Sequence, residues 1–151
     1  MKKILVIEDE MFIRENLIEL LEIERYEAAG AENGSLGVQM AKEYEPDLIL
    51  CDVMMPELDG YAVLAALRED PVTAKIPFVF LTASADRNNL QKIRKLGIND
   101  YILKPFNVDN FLAAIKTRLE NPDNSNGPYQ SKASDDSDNS DNTDDDDSIA
   151  S

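Results

Sequence analysis

The sequence predicts a doubly wound α/β fold, in which helices cover both faces of a five-stranded parallel sheet. Five short apolar segments alternate along the chain with five segments whose apolar residues recur at helical spacing. The third of these segments is an apolar run without polar alternation, which is typical of a parallel strand buried on both faces, whereas the second is a weak strand. Right-handed crossovers between such strands favour, in a chain of 151 residues, the flavodoxin-like sheet order 2-1-3-4-5.

The predicted strands are short and are bounded by residues that break regular structure. They cover residues 3–7, 26–31, 47–51, 78–81 and 100–103. Pro46 and Pro77 open the third and fourth strands, and Asp52 directly follows the third. Because α/β sheets bind their ligands at the carboxyl ends of the strands, Asp52 is predicted to lie where the chemistry takes place.

Each predicted helix has one apolar face that can pack on the sheet. The helices cover residues 11–24, 35–44, 60–69, 86–96 and about 107–119, and Gly97 is a predicted C-cap. The residues expected to face the core are Ile13, Leu17, Leu20, Leu21, Leu36, Met40, Tyr44, Val63, Leu64, Leu67, Leu90, Ile93, Val108, Phe111, Leu112, Ile115 and Leu119.

Charge and composition divide the chain into two parts. Residues 1–120 contain 14 basic and 21 acidic side chains, a net charge of −7, and are predicted to form one folded domain. Residues 121–151 contain 1 basic and 9 acidic side chains, a net charge of −8, and are mostly Ser, Asp and Asn. Such a segment buries too little apolar surface to offset the entropy of ordering, so a disordered acidic tail is predicted.

Composition also excludes several classes of protein. The net charge of −15 argues against direct binding of nucleic acid. The chain has no histidine, which removes His-based catalysis and most zinc sites, and its single cysteine, Cys51, is expected in the core. Charge interrupts the N-terminal apolar run too early for a signal peptide, and no run reaches the roughly 18 apolar residues of a membrane span. We therefore expect a soluble cytoplasmic protein.

Four predicted strands deliver polar side chains to one edge of the sheet. Glu8 and Asp9 follow the first strand, and Asp52 follows the third. Thr82 and Lys104 follow the fourth and fifth strands. Three converging carboxylates require a cation, and oxygen ligands of this kind suit Mg²⁺, while a hydroxyl and an ammonium suit the oxygens of a phosphoryl group. The set predicts a phosphoryl-transfer site in which Asp52 is the nucleophile.

These residues and their surroundings resemble the receiver domain of response regulators, the CheY-like family of two-component signalling. The resemblance covers residues 1–120 and rests on Glu8-Asp9, on Asp52 with Met55-Pro56 and Asp59-Gly60 after it, on Leu81-Thr82-Ala83, and on Tyr101-Ile102-Leu103-Lys104-Pro105-Phe106. It implies that a histidine kinase or phosphotransfer protein phosphorylates Asp52. It also implies that the domain promotes its own phosphorylation and dephosphorylation and is not a turnover enzyme on a separate substrate.

The resemblance implies a set of magnesium ligands. Asp9, Asp52 and the main-chain carbonyl of Met54 would bind Mg²⁺, with Glu8 acting through water. The phosphoryl oxygens would be held by Thr82 and Lys104.

A conformational switch is also implied by the resemblance. Tyr101 would move with Thr82, and the peptide between Lys104 and Pro105 would be cis. Phosphorylation would then alter the face formed by the fourth helix, fifth strand and fifth helix, which would bind a downstream protein that the sequence does not identify. The family usually adds an output domain, whereas none follows here, so a stand-alone regulator is expected.

Taken singly, each site residue has a structural explanation, such as acids that begin a helix, and three other functions fit parts of the pattern. A phosphatase of the haloacid-dehalogenase type needs a second acid at the position of Met54, and turnover of a phosphomonoester would support it. A flavodoxin needs a phosphate-binding loop where Glu8-Asp9-Glu10 stands, and its purified protein would be coloured. A degenerate receiver would bind partners without phosphorylation, which the complete set of site residues argues against.

The acidic tail has two interpretations. It is either a solubilising extension or a competitor of an acidic partner at the basic face of the fourth and fifth helices. The basic residues expected at that face are Arg87, Lys92, Arg94, Lys95, Lys116 and Arg118. A tether that begins directly after the fifth helix would keep the tail near this face at an effective concentration on the order of millimolar.

Overall fold

The computed structural model describes residues 1–83, 87–95 and 101–120. These residues form a five-stranded sheet in the order β2-β1-β3-β4-β5, and all four strand pairings are parallel. The strands are β1 (Lys3–Ile7), β2 (Glu27–Ala31), β3 (Leu48–Asp52), β4 (Phe78–Thr82) and β5 (Tyr101–Leu103). The predicted fold class and sheet order are confirmed.

Within the described ranges, five helices connect and follow the strands. They are α1 (Met11–Ile23), α2 (Gly34–Tyr44), α3 (Gly60–Glu69), α4 (Arg87–Lys95) and α5 (Val108–Glu120). Three of them begin with a side-chain cap, in which a side-chain oxygen accepts a hydrogen bond from a backbone N–H three residues later. The pairs are Asn33 with Leu36, Asp59 with Ala62, and Asn107 with Asn110. Among the described residues, no helix combines the length and the apolar character that a bilayer crossing requires.

Some predictions concern positions outside the described residues. They are the first and last residues of the predicted fourth helix, the C-cap at Gly97, the start of the fifth strand at Asp100, and the disorder of residues 121–151. These points remain predictions.

The core lies in two layers, one on each face of the sheet. Helices α2, α3 and α4 cover one face, where Phe80 and Ile93 are fully buried. Helices α1 and α5 cover the other face, where Leu17 and Phe111 are buried. All five residues of β3 are buried, as expected for a central parallel strand. Cys51 belongs to the core as predicted, and burial raises the pKa of its thiol well above the ordinary value.

The predicted inward face of α2 was wrong at one position. Leu36 is 36% exposed, whereas the buried residues of α2 are Gly34, Gly37 and Ala41. A Cβ atom on Gly37 would lie 2.5–3.0 Å from side-chain carbons of Ile7, so the helix approaches the sheet through a glycine. Apolar periodicity cannot reveal a face made of small residues.

The predicted orientation of α5 was wrong at both ends of the helix. Val108 is 45% exposed, although it was expected in the core. Arg118 was expected on the exposed basic face, but only 7% of its surface is accessible. It lies seven residues after the buried Phe111, which is the spacing of one helix face. Lys116 remains exposed, so it is the basic residue that α5 contributes to the surface.

Candidate functional site

The strand register brings the predicted site residues to the carboxyl edge of the sheet. Their positions along the strand direction differ by one residue from step to step, and we call these positions levels. The residue pairs that set the levels are Ile7–Cys51, Asp52–Leu81 and Thr82–Leu103. Glu8 is therefore level with Asp52, Thr82 lies one residue further along, and Lys104 lies one residue beyond Thr82. The amide of Lys104 continues the ladder by donating to the carbonyl of Thr82 at 2.8 Å. The long lysine side chain thus has room to reach back over the carboxylates.

Three carboxylates meet at this edge, as the sequence predicted. One oxygen each from Glu8, Asp9 and Asp52 lies within 4.8 Å of the others. Glu8 is 1% exposed and Asp52 7% exposed, while Asp9 is open to solvent. This set of hard oxygen donors, partly buried and open on one side, fits Mg²⁺, which binds through a few carboxylates and keeps several waters.

Lys104 joins the two buried carboxylates. Its ammonium nitrogen lies 2.9 Å from Oε1 of Glu8 and 3.3 Å from Oδ1 of Asp52. The following peptide, between Lys104 and Pro105, is cis, as the resemblance implied. The lysine therefore places a positive charge beside both buried carboxyl groups.

The pKa values of both partners in the closest pair, Glu8 and Lys104, are raised from their ordinary values. Burial raises the pKa of Glu8, and the negative charge of Asp52 adds to the effect, although the hydrogen bond from Lys104 opposes it. Burial alone would lower the pKa of Lys104, but its hydrogen bond to Glu8 and the charge of Asp52 together raise it. Lys104 is thus held in its charged form.

The backbone of Asp52 rests against the start of α3. The N–H of Gly60 donates to the carbonyl of Val53 at 2.9 Å, and Asp59 caps the helix. A Cβ atom on Gly60 would collide with the carbonyl oxygen of Asp52 and lie 2.9 Å from Cα of Val53. The Asp-Gly pair therefore fixes the loop after Asp52, a role that the sequence analysis did not assign. The signal was present as an N-cap residue followed by glycine.

The predicted switch residues lie on one face of the sheet. Thr82 is 2% exposed and Tyr101 is 8% exposed, with its ring in the core layer under α4. Tyr101 pairs with Phe80, and Thr82 lies two residues after Phe80, so the side chains of Thr82 and Phe80 point to the same face. Burial raises the pKa of Tyr101, while nearby Arg94 opposes that shift. Their motion as a switch stays a prediction, as does the role of the Met54 carbonyl.

Three exposed apolar side chains, which we call the apolar rim, follow Asp9 and Asp52 closely along the chain: Met11, Phe12 and Met54. Met11 and Phe12, which begin α1 shortly after Asp9, are 48% and 77% exposed, and Met54 is 75% exposed. A cavity of about 570 Å³ adjoins Lys104. It is lined by Ile13, Asn16, Leu17, Ala83, Lys104, Pro105 and Phe106. The sequence analysis did not predict this rim, although Phe12 is not one of the residues of α1 that were expected to face the core.

Comparison with known proteins identifies relatives of the whole folded part. The chain is 34% identical over 118 residues to the polar-differentiation response regulator DivK of Brucella anthropi, covering 78% of this chain and 96% of DivK. It is 36% identical over 123 residues to the DNA-binding dual master transcriptional regulator RpaA of Synechocystis, covering 82% of this chain and 51% of RpaA. The chain thus spans about half the length of some curated relatives it matches, including RpaA and the regulator PhoB of Pseudomonas aeruginosa.

Solved structures give the same result. The chemotaxis protein CheY4 of Vibrio cholerae superposes with a TM-score of 0.73 at 26% identity, covering 78% of this chain and 98% of CheY4. A signal receiver domain of a histidine kinase from Syntrophus aciditrophicus superposes with a TM-score of 0.73 at 32% identity, covering 80% of this chain and 91% of that domain. Residues 4–116 match the family of response regulator receiver domains. Fold, site and relatives agree, and the chain belongs to the response regulator receiver domain family.

Proposed function

We propose that this receiver domain accepts a phosphoryl group on Asp52 from a histidine kinase or phosphotransfer protein and thereby changes its protein-binding face. The observation that supports this best is the contact of Lys104 with Asp52 and Glu8 beside the exposed Asp9. The match covers 96% of the regulator DivK but only 51% of the regulator RpaA, so the proposal concerns the receiver domain itself.

The chemistry follows from the charges at the site. A carboxylate oxygen of Asp52 attacks phosphorus, and the bond between phosphorus and the donor's imidazole nitrogen breaks, leaving the electron pair on that nitrogen. Lys104 is close enough to turn its ammonium from the carboxylate to the incoming phosphoryl oxygens. Glu8, Asp9 and Asp52 would hold Mg²⁺ with the carbonyl of Met54, and the bound ion supplies charge to offset the transferred group.

The same residues disfavour the alternatives. Met54 occupies the position at which a phosphatase of the haloacid-dehalogenase type has its second acid, and its side chain points to solvent. Glu8 and Asp9 place negative charge where a flavodoxin binds its phosphate. We therefore propose a domain that takes one phosphoryl group and returns it to water, without turnover of a separate substrate.

The apolar rim supports a protein as the phosphodonor. Met11 and Phe12 follow Asp9 closely along the chain, Met54 follows Asp52, and all three are exposed in the free domain, so a protein docked at the site can bury them. Burial of such side chains at an interface is favourable. A small acyl phosphate needs none of these contacts.

The experiment is phosphorylation with acetyl phosphate and Mg²⁺, followed by intact-mass measurement. Wild type and Asp109→Asn, which changes an exposed acid at the start of α5, should each gain one phosphoryl group. Asp52→Asn should gain none, and Asp9→Ala should lose tight Mg²⁺ binding because the remaining acids cannot complete the octahedral site. A fully phosphorylated Asp52→Asn protein would refute the proposal.

A further inference from the structure

Arg14 connects helix α1 to the backbone of the site. The Nη1 atom of Arg14 donates a hydrogen bond to the main-chain carbonyl oxygen of Glu8 at 2.8 Å. The amide N–H of Glu8 donates to the carbonyl of Ala31 in β2 at 3.0 Å. The backbone of Glu8 is therefore held from both sides, by strand β2 and by an arginine side chain.

A glycine on β2 makes room for this arginine. A Cβ atom on Gly30 would lie 3.0 Å from Cδ of Arg14, 3.1 Å from its Cγ and 2.8 Å from Cδ1 of Ile18. Gly30 pairs with Val6, two residues before Glu8, so the stem of Arg14 passes over Gly30 on its way to the carbonyl. The glycine is needed for space, since its backbone does not adopt a left-handed conformation.

The carbonyl that Arg14 binds belongs to the peptide between Glu8 and Asp9. Because a peptide unit is planar, a hydrogen bond that fixes its oxygen also fixes the Cα atoms at both ends. Those two Cα atoms bear the carboxylates of Glu8 and Asp9. A charged donor makes this a strong hydrogen bond, and the half-buried position of Arg14 protects it from water.

We infer that Arg14 is a positioning residue for the magnesium-binding carboxylates, and that Gly30 is required for its placement. The inference rests on the proposed Mg²⁺ site. Arg14 is not among the residues that would hold the ion or the phosphoryl group, and it acts by holding the peptide from which both carboxylates extend. Partners that orient metal ligands in this way usually change metal affinity by about 10-fold or more when they are removed.

The direction in which Mg²⁺ affinity changes when Arg14 is replaced distinguishes a positioning role from an effect of its charge alone. Arg14 is a cation close to a cation site, so loss of its charge alone would tighten Mg²⁺ binding. Loss of positioning would weaken it. A purely structural role would lower the stability of the metal-free protein and leave Mg²⁺ affinity unchanged.

The test is calorimetric titration of the full chain with Mg²⁺, together with urea unfolding without the ion. Arg14→Met, which keeps the stem and removes the donor, should bind Mg²⁺ about 10-fold more weakly. Arg14→Lys should lie between Arg14→Met and wild type, and Gly30→Ala should weaken binding while leaving the arginine present. Lys2→Met, which removes an exposed cation before β1, should bind as wild type does.

Backbone amide resonances provide a further readout. The backbone amide resonances of Glu8 and Asp9 in the metal-free protein should shift in Arg14→Met and Gly30→Ala and stay in place in Lys2→Met. Unchanged or tighter Mg²⁺ binding in a folded Arg14 variant would overturn the inference, and Gly30→Ala and Arg14→Lys decide it if Arg14→Met does not fold. A wild-type protein without Mg²⁺ affinity would instead refute the proposed function.

Discussion

Lys104 contacts Glu8 more closely than it contacts Asp52, at 2.9 Å against 3.3 Å. Glu8 is almost fully buried, and its Oε2 also accepts the N–H of Glu10 at 3.2 Å. The buried glutamate is thus the main partner of the lysine in the unphosphorylated domain. A phosphoryl group on Asp52 would compete with Glu8 for the same ammonium, so Glu8 influences how readily Lys104 turns toward it.

Lys104→Met should destabilise the metal-free domain and tighten its binding of Mg²⁺. Removal of one partner leaves the buried Glu8 carboxylate uncompensated, which costs on the order of 3 kcal/mol. The ammonium also no longer competes with the metal for the carboxylates. Urea unfolding and Mg²⁺ titration would measure the two effects.

The control is Lys42→Met, which breaks an exposed ion pair with Asp70 at 3.3 Å and should change stability by less than about 1 kcal/mol. Equal stability of Lys104→Met and wild type would contradict the prediction.

Glu8→Gln should change the pH dependence of stability. Burial raises the pKa of Glu8 above its ordinary value of 4.5, so the folded protein retains a proton that the unfolded protein releases as the pH rises past that value. The free energy of unfolding of the wild type therefore falls through this window relative to Glu8→Gln, which has no carboxyl group there. Urea unfolding without Mg²⁺ from acidic to neutral pH measures the difference, with the exposed Glu15→Gln as control. Parallel curves for wild type and Glu8→Gln would exclude the effect.

Thr82→Ala should uncouple phosphorylation from the α4–β5–α5 face. A phosphoryl group on Asp52 offers the Thr82 hydroxyl a charge-assisted hydrogen bond, and Tyr101 packs on the same face of the sheet. In wild type, beryllofluoride with Mg²⁺ should shift the resonances of Tyr101, and the shift should be lost in Thr82→Ala.

The matched control for that switch is Thr73→Ala. Thr73 is also buried, and its hydroxyl donates to the carbonyl of Leu67 at 2.7 Å. It lies in the connection between α3 and β4, at the amino edge of the sheet and opposite the site. This variant should lose stability but keep the response of Tyr101. If Thr82→Ala retained the full response, the coupling would not pass through this threonine.

Phe12→Ser should slow phosphorylation by a protein donor and leave phosphorylation by acetyl phosphate unchanged. Loss of an exposed aromatic at a contact surface can reduce binding by on the order of 10-fold, whereas a small donor does not touch it. Stopped-flow transfer from a phosphorylated donor protein, compared with acetyl phosphate, separates the two. Ile23→Ser removes an apolar side chain that is 67% exposed at the other end of α1 and should affect neither rate. Equal slowing with both donors would indicate damage to the site itself.

Deletion of residues 121–151 should strengthen binding of an acidic partner at low salt, with a smaller gain at high salt. Screening over about 8 Å at physiological ionic strength weakens attraction between the tail and a basic surface. The described basic side chains available for this are those of Lys92, Arg94, Lys95 and Lys116, because Arg118 is buried. Resonances of Lys92, Lys95 and Lys116 should move on deletion. Unmoved resonances and salt-independent affinity would favour the solubilising interpretation.

Sequence patterns were sufficient for the strands and for the residues at their ends. Apolar runs without alternation located β1, β3 and β4, and because the strands are parallel, their last residues had to meet at one edge. The β3 prediction was one residue early at both ends, since Asp52 continues the ladder by pairing with Leu81. The three carboxylates and Lys104 meet as expected.

Other features depend on close packing that a hydrophobic pattern does not encode. Gly37 and Gly60 are buried because another part of the chain passes within van der Waals distance, and a glycine in the sequence does not reveal its neighbour. Likewise, the sequence alone does not distinguish Arg14 from any other helix residue, and its role appears only in its contact with the carbonyl of Glu8. The burial of Arg118 could have been predicted from its helical spacing to Phe111. Its charge led instead to its placement on the exposed basic face.

Because of the stepped register at the carboxyl edge, the relative positions of the site residues depend on the number of residues in each strand. Insertion of one residue inside β5 would advance Lys104 by about 3.3 Å and turn its side chain to the opposite face of the sheet. Insertions in the connections at the amino edge, such as the turn between α3 and β4, would leave all three levels unchanged. Chimeras of receiver domains should therefore keep their phosphorylation chemistry when they are joined at the amino edge, and should lose it when a junction adds or removes a single residue within a strand.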